Sequence, residues 1–112
     1  MEILENKQGQ IVILSLKGRL DAATSKLLEE KLLDLINSKN ERRIVMDFQQ
    51  LDYISSAGLR VLFMASKILK PENGKLALVS LKEHLKEMFE ITGFHGIFPI
   101  FTNKEEALGN MS

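Results

Sequence analysis

The chain has 112 residues, and its 45% hydrophobic and 27% charged fractions are those of one small globular domain, expected over residues 1–112, rather than those of a disordered or membrane protein. Its 15 basic and 15 acidic residues cancel, which argues against direct nucleic-acid binding. The chain has no cysteine, and His84 and His95 have no companions at metal-ligand spacing, so no disulfide or metal site is expected.

The N-terminal segment predicts a β-hairpin. Residues 2–7 and the apolar run 11–17 are separated by a turn around Gly9, and Gly18 closes the second strand. The segment also lacks a basic leader, and no stretch of the chain approaches the roughly 18 apolar residues of a membrane span, so we expect a cytoplasmic protein without membrane contact.

The middle of the chain predicts a helix and then a β-α-β unit. Apolar residues recur at helical spacing over residues 23–38, and the short apolar run 44–48 is typical of a strand buried on both faces at the centre of a sheet. A second helix begins at Ser56 and cannot continue past Pro71, and residues 76–79 form another buried strand. Because strands in such a unit are parallel, the whole sheet is expected to be mixed.

The C-terminal part predicts a third helix over residues 82–91, which Gly93 could end in a left-handed conformation. A short segment, 98–101, precedes a last turn or helix. Asn103 is expected to cap that helix, with Glu106 three residues on as its capping-box partner.

Two serines stand where the buried central strand meets the second helix. On composition alone, Ser55 or Ser56 is best explained as the cap of that helix, because serine is a preferred N-cap residue. The alternative is a phosphorylation site, since a helix N-terminus offers free N–H donors and a partial positive charge to a phosphate. A catalytic nucleophile is not indicated, because no Gly-x-Ser-x-Gly frame surrounds the serines and neither histidine has a claim to be their base.

A second marker lies where the hairpin meets the first helix, at residues 18–24. There Asp21 or Thr24 could simply cap that helix, and composition favours this explanation. The scattered glycines form neither a Walker loop nor a dinucleotide fingerprint, so no nucleotide cofactor is expected.

Taken together, the two markers resemble the STAS domain of bacterial anti-sigma-factor antagonists. The residues that carry this resemblance are Gly18-Arg19-Leu20-Asp21 with Thr24, and Tyr53-Ile54-Ser55-Ser56-Ala57-Gly58-Leu59. The similarity extends over essentially the whole chain, including the order of the elements. It implies an α/β STAS fold, with a mixed four- to five-stranded sheet and about four helices packed mainly on one face.

The resemblance also implies a function. In that family a serine at the start of the second helix is phosphorylated by a partner that is both serine kinase and anti-sigma factor, and the unphosphorylated antagonist binds this partner to release sigma. On this sequence the serine is Ser56. Family members often read Asp-Ser-Ser/Thr-Gly-Leu-Gly, so here Ser55 stands for the usual Asp and Arg60 for the second glycine. The implied partner-binding residues are Asp21, Ala22, Thr24, Ile54, Ser55, Ser56, Ala57, Gly58, Leu59 and Arg60.

We therefore interpret the chain as a partner-switching module, a monomer or weak dimer, which a serine phosphatase reactivates and which is not itself an enzyme. One alternative is a STAS scaffold subunit of a stress-signalling complex, which sizing the protein would distinguish. The other is a small nucleotide-binding or hydrolytic protein using Ser56 or Asp21, which lacks a recognisable base or phosphate loop.

Overall fold

A computed structural model describes residues 1–111, except for the side chain of His95, and these residues form a mixed α/β structure around one five-stranded sheet. The strands lie side by side in the order of the chain, with β1 antiparallel to β2 and all other neighbours parallel. The strands are β1 (Glu2–Gln8), β2 (Ile11–Leu20), β3 (Arg43–Ile54), β4 (Lys75–Val79) and β5 (Ile100–Phe101). The helices are α1 (Ala22–Leu33), α2 (Ser56–Leu69), α3 (Glu83–Thr92) and α4 (Lys104–Met111). The mixed sheet and the central place of β3 are as predicted.

The second and third strands run further than the apolar pattern predicts. β2 continues past Gly18 to Leu20, because Gly18 adopts φ +113°, a conformation that glycine accepts readily, at a point where the register between β2 and β3 shifts. β3 extends beyond residue 48 to Ile54. Its last paired residue against β4 is Asp47, so from there to Ile54 it pairs with β2 alone.

Three helices cover one face of the sheet and one covers the other. Apolar side chains of α1, α2 and α3 share a buried cluster with those of the strands, among them Leu28, Leu62, Phe89, Leu14 and Met46. On the opposite face, α4 completes a smaller cluster made of Ile11, Ile13, Val45, Ala77, Val79, Ala107 and Met111. The helices therefore lie mainly, but not all, on one face, as predicted.

The helix ends follow the sequence signals, with one exception. α1 ends at Leu33, and residues 34–38 continue as a wider π-helical turn in which the Lys39 N–H donates to the Asp34 carbonyl. Gly93 ends α3 at φ +78°, and the Asn103 side chain accepts from the Glu106 N–H at 2.9 Å, as predicted. The Glu106 carboxylate accepts from the Thr102 N–H at 3.5 Å instead of completing the predicted capping box at Asn103. None of the helices within residues 1–111 is both long and apolar enough to cross a bilayer.

Candidate functional site

The first marker forms the N-terminus of α1. Asp21 is the N-cap: its Oδ1 accepts from the Thr24 N–H at 3.0 Å, while the Thr24 hydroxyl accepts from the Asp21 N–H at 2.9 Å. The same hydroxyl donates to the Arg19 carbonyl at 2.8 Å, so the cap is attached to the end of β2. The hydrogen bond from the Thr24 N–H, and after it the contact of the Thr24 hydroxyl with the Asp21 carboxylate, hold the pKa of Asp21 below its ordinary value. Asp21 and Thr24 thus have the capping role, and Ala22 beside them is exposed.

The second marker separates the roles of the two serines. Ser55 is the N-cap of α2, because its hydroxyl accepts from the Gly58 N–H at 3.2 Å. Ser56 is the first residue of the helix and is exposed. Among the side chains that the structure describes, none forms a hydrogen bond with its hydroxyl. Of the two serines, Ser56 is therefore the more exposed, and its hydroxyl is not engaged in a cap.

The sheet brings the two helix starts together. Leu20 is paired with Ile54 across the parallel strands β2 and β3, and the Ser55 N–H donates to the Leu20 carbonyl at 2.8 Å. Asp21 directly follows Leu20 in the chain, and Ser55 directly follows Ile54. The family resemblance puts residues of both markers in one partner-binding set, and the pairing places both caps at the carboxyl ends of two adjacent strands, where sites in parallel sheets are commonly built.

Two of the predicted binding residues lie below the surface. Gly58 is buried, and a Cβ added to it would stand 2.8 Å from Cγ and Cδ2 of Leu20 and 3.2 Å from Cγ2 of Ile54. Ile54 itself is only 5% exposed. The absence of a side chain at Gly58 therefore lets the first turn of α2 pack directly on the ends of β2 and β3. Ile54 and Gly58 shape the site, whereas Ala57 and Leu59 are half-buried and Arg60 is exposed.

Residues outside the predicted set form the flank of this site. The Arg19 guanidinium lies 4.3 Å from the centre of the Tyr53 ring, and the two residues are paired across the sheet. Asp52 forms an ion pair with Lys82, whose hydrogen bond is the main cause that lowers the pKa of Asp52. His84 Nε2 lies 2.7 Å from the Asp52 carbonyl oxygen. These partners are far apart in sequence, and no local pattern could have joined them.

Comparison with known proteins identifies the family. The sequence model of the STAS domain matches residues 3–107. BtrV of Bordetella bronchiseptica, described as a candidate anti-sigma factor antagonist, is 42% identical over 107 residues, which make up 96% of this chain and 91% of BtrV.

Solved structures share the fold. A candidate anti-sigma factor antagonist from Thermotoga maritima superposes with a TM-score of 0.92 at 22% identity, over 97% of this chain and 93% of the other. SpoIIAA, a Bacillus anti-sigma factor antagonist, gives a TM-score of 0.78 in its unphosphorylated form, at 17% identity over 97% of this chain and 96% of the other. Its phosphorylated form gives 0.77, at 19% identity over 97% of this chain and 98% of the other.

Proposed function

This chain belongs to the STAS domain family, and on that premise we propose that it is an anti-sigma-factor antagonist regulated by phosphorylation of Ser56. In its unphosphorylated form it binds an anti-sigma factor that is also a serine kinase, and so releases a sigma factor. Phosphorylation of Ser56 ends that binding, and a serine phosphatase restores it. The chain is a kinase substrate and a binding partner rather than an enzyme, and it acts as a monomer or weak dimer.

The observation that carries the proposal is the difference between the two serines. The Ser55 hydroxyl is engaged as the cap of α2, whereas the Ser56 hydroxyl is exposed at the first helical position. A phosphate there meets the unpaired N–H groups of the first turn and the positive end of the helix dipole, so the fold can carry it without rearrangement. The names of the relatives indicate that the partner is an anti-sigma factor. The exposed Ser56 hydroxyl is the group whose phosphorylation controls binding to that partner.

The test is the site of phosphate incorporation. Ser56→Ala is expected to keep the fold and partner binding but to abolish incorporation, because it removes the hydroxyl of this turn that is not engaged as a cap. Ser55→Ala is expected to leave most incorporation intact, at a cost of about 1 kcal/mol in stability for the lost cap. Ser55→Asp is the matched control, since it removes the same hydroxyl and keeps a capping oxygen. Mass spectrometry after incubation with the partner kinase and ATP distinguishes them, and phosphate found mainly on Ser55 contradicts the assignment.

A second expectation concerns Asp21, which lies beside Ser55 through the Leu20–Ile54 pair. Asp21→Ala is expected to weaken docking or phosphorylation several-fold while lowering the melting temperature by only a few degrees, because it removes both a surface carboxylate and a helix cap. Asp21→Ser separates the two effects, since serine can cap α1 without carrying a charge. If Asp21→Ser binds as the wild type does, Asp21 has a capping role alone. Titrations with the partner and thermal melts on the same preparations decide this.

A further inference from the structure

One side of α2 forms the wall of a groove that leads away from Ser56. Arg60, Phe63, Met64 and Lys67 follow Ser56 at intervals of four, seven, eight and eleven residues, which places them on one face of the helix. These four side chains line a groove of about 1010 Å³ that is open to solvent on its outer side. Its opposite wall is formed by residues 96–99 and the start of β4.

The surface of this groove is apolar. Phe63, Met64 and Ile68 are half-buried along α2, and Ile97 across the groove is 48% exposed. The Phe63 ring packs edge-on against Phe94, with ring centres 4.6 Å apart, and it lies 5.4 Å from the Phe98 ring. These aromatic contacts attach the 94–98 segment to α2, so the apolar groove has a fixed second wall.

The rim of the groove is basic. Arg60, Lys67, Lys70 and Lys75 all line it, all are exposed, and none forms an ion pair within residues 1–111. No Asp or Glu is among the described residues that line it. Because the whole chain carries no net charge, four unpaired cations around one apolar groove are a local concentration of positive charge.

We propose that this groove binds an amphipathic helix of a protein partner, with an apolar face and acidic flanks. The charges select an acidic occupant, and the apolar surface selects one with a hydrophobic stripe. Arg60 on α2 and Lys70, which directly follows the last residue of α2, are ten positions apart, about 15 Å along the helix axis, which matches about three turns of a docked helix. Met64 adds an adaptable contact of the kind that helix-binding grooves use. The proposal goes beyond phosphorylation of Ser56 and does not depend on it.

The test uses a synthetic peptide of about 15 residues, with Leu and Phe along one helical face and Glu elsewhere, added to the unphosphorylated ¹⁵N-labelled protein. Amide shifts are expected from Arg60 to Lys70 and at Gly96 and Ile97. A peptide with Lys in place of every Glu is expected to bind at least about tenfold more weakly, because it meets four like charges. A third peptide has the composition of the acidic one, but its residues are reordered so that the Leu and Phe side chains no longer share one helical face. It controls for attraction by charge alone. Equal binding of the acidic and basic peptides, or shifts confined to another surface, overturns the proposal.

Variants of the protein complete the test. Lys67→Glu is expected to weaken binding of the acidic peptide about tenfold, whereas Lys26→Glu, the same change at an exposed position of α1 outside the groove, is expected to leave it unchanged. Equal loss in both variants means that net charge rather than the groove attracts the peptide, and overturns the proposal. Oleate is tested in parallel. If oleate shifts the groove amides and the acidic peptide does not, the groove takes a small anionic amphiphile and the proposal is wrong.

Discussion

Ser56→Glu is expected to melt within a few degrees of the wild type, yet to bind the anti-sigma factor about tenfold or more weakly. The fold tolerates the charge because Ser56 is exposed at the N-terminus of a 14-residue helix, where a negative group is favourable. The interface does not tolerate it, because a charge placed against an apolar contact or a carboxylate costs several kcal/mol in desolvation or repulsion. The loss of binding thus arises at the contact surface rather than from a change of structure.

Ser56→Gln is the matched control, since it has the size of the glutamate variant without the charge. If charge is the cause, Ser56→Gln binds much better than Ser56→Glu, and added salt narrows the gap. Thermal melts and binding titrations on the same preparations test this. Normal binding of Ser56→Glu, or loss of binding only because that variant is unfolded, contradicts a local electrostatic switch.

The second large effect is expected at Gly58, where alanine should lower the free energy of unfolding by about 1–3 kcal/mol. In an exposed helix, replacing glycine by alanine stabilises, because alanine loses less conformational entropy. At Gly58 the new methyl group would instead stand 2.8 Å from the buried Leu20 side chain, so either Leu20 or the first turn of α2 must move. A shift of the first turn also displaces Ser55 and Ser56, so in that case partner binding is expected to fall with stability.

Gly109→Ala tests the explanation, because it makes the same change within a helix at a place where nothing lies within 4 Å of the new carbon. It is expected to raise stability by up to about 1 kcal/mol. A second test combines Gly58→Ala with Leu20→Ala. If the clash with Leu20 causes the damage, the double variant loses less stability than the sum of the two single changes, by denaturant unfolding. Strict additivity would contradict this account.

The parts of the fold that the sequence predicted are those with local signals. The hairpin turn at Gly9, the end of α2 before Pro71 and the end of α3 at Gly93 depend on backbone conformations that glycine and proline favour or forbid. The full length of β3 escaped prediction because its last residues mix polar and apolar side chains and pair with β2 alone. The π-helical turn at residues 34–38 has no signal in the residue types.

The candidate site was predictable in position but not in detail. The sequence placed two serines at a helix start, yet either could have been the cap, since that depends on which hydroxyl reaches the Gly58 N–H. The burial of Gly58 against Leu20 and the Arg19–Tyr53 contact join residues more than 30 positions apart. Such contacts depend on strand register, which cannot be read from a single sequence. The groove beside α2 was not predicted either, because its second wall is formed by Gly96, Ile97 and Pro99, which are distant from α2 in sequence.

The unequal lengths of the strands determine what holds the starts of α1 and α2 in place. Beyond Lys17, β2 pairs only with β3, and beyond Asp47, β3 pairs only with β2. The two strands therefore extend past their other neighbours as a two-stranded ribbon, and α1 and α2 begin at its tip. Segments with fewer flanking hydrogen bonds open at a lower free energy than the centre of a sheet. Leu20, Leu51 and Ile54 of this ribbon are nevertheless buried in the main core cluster, so packing against the helices, rather than pairing with further strands, holds it in place. An enzyme that acts on Ser56 therefore meets an exposed residue on a firmly packed tip, and it can reach that residue without opening the sheet.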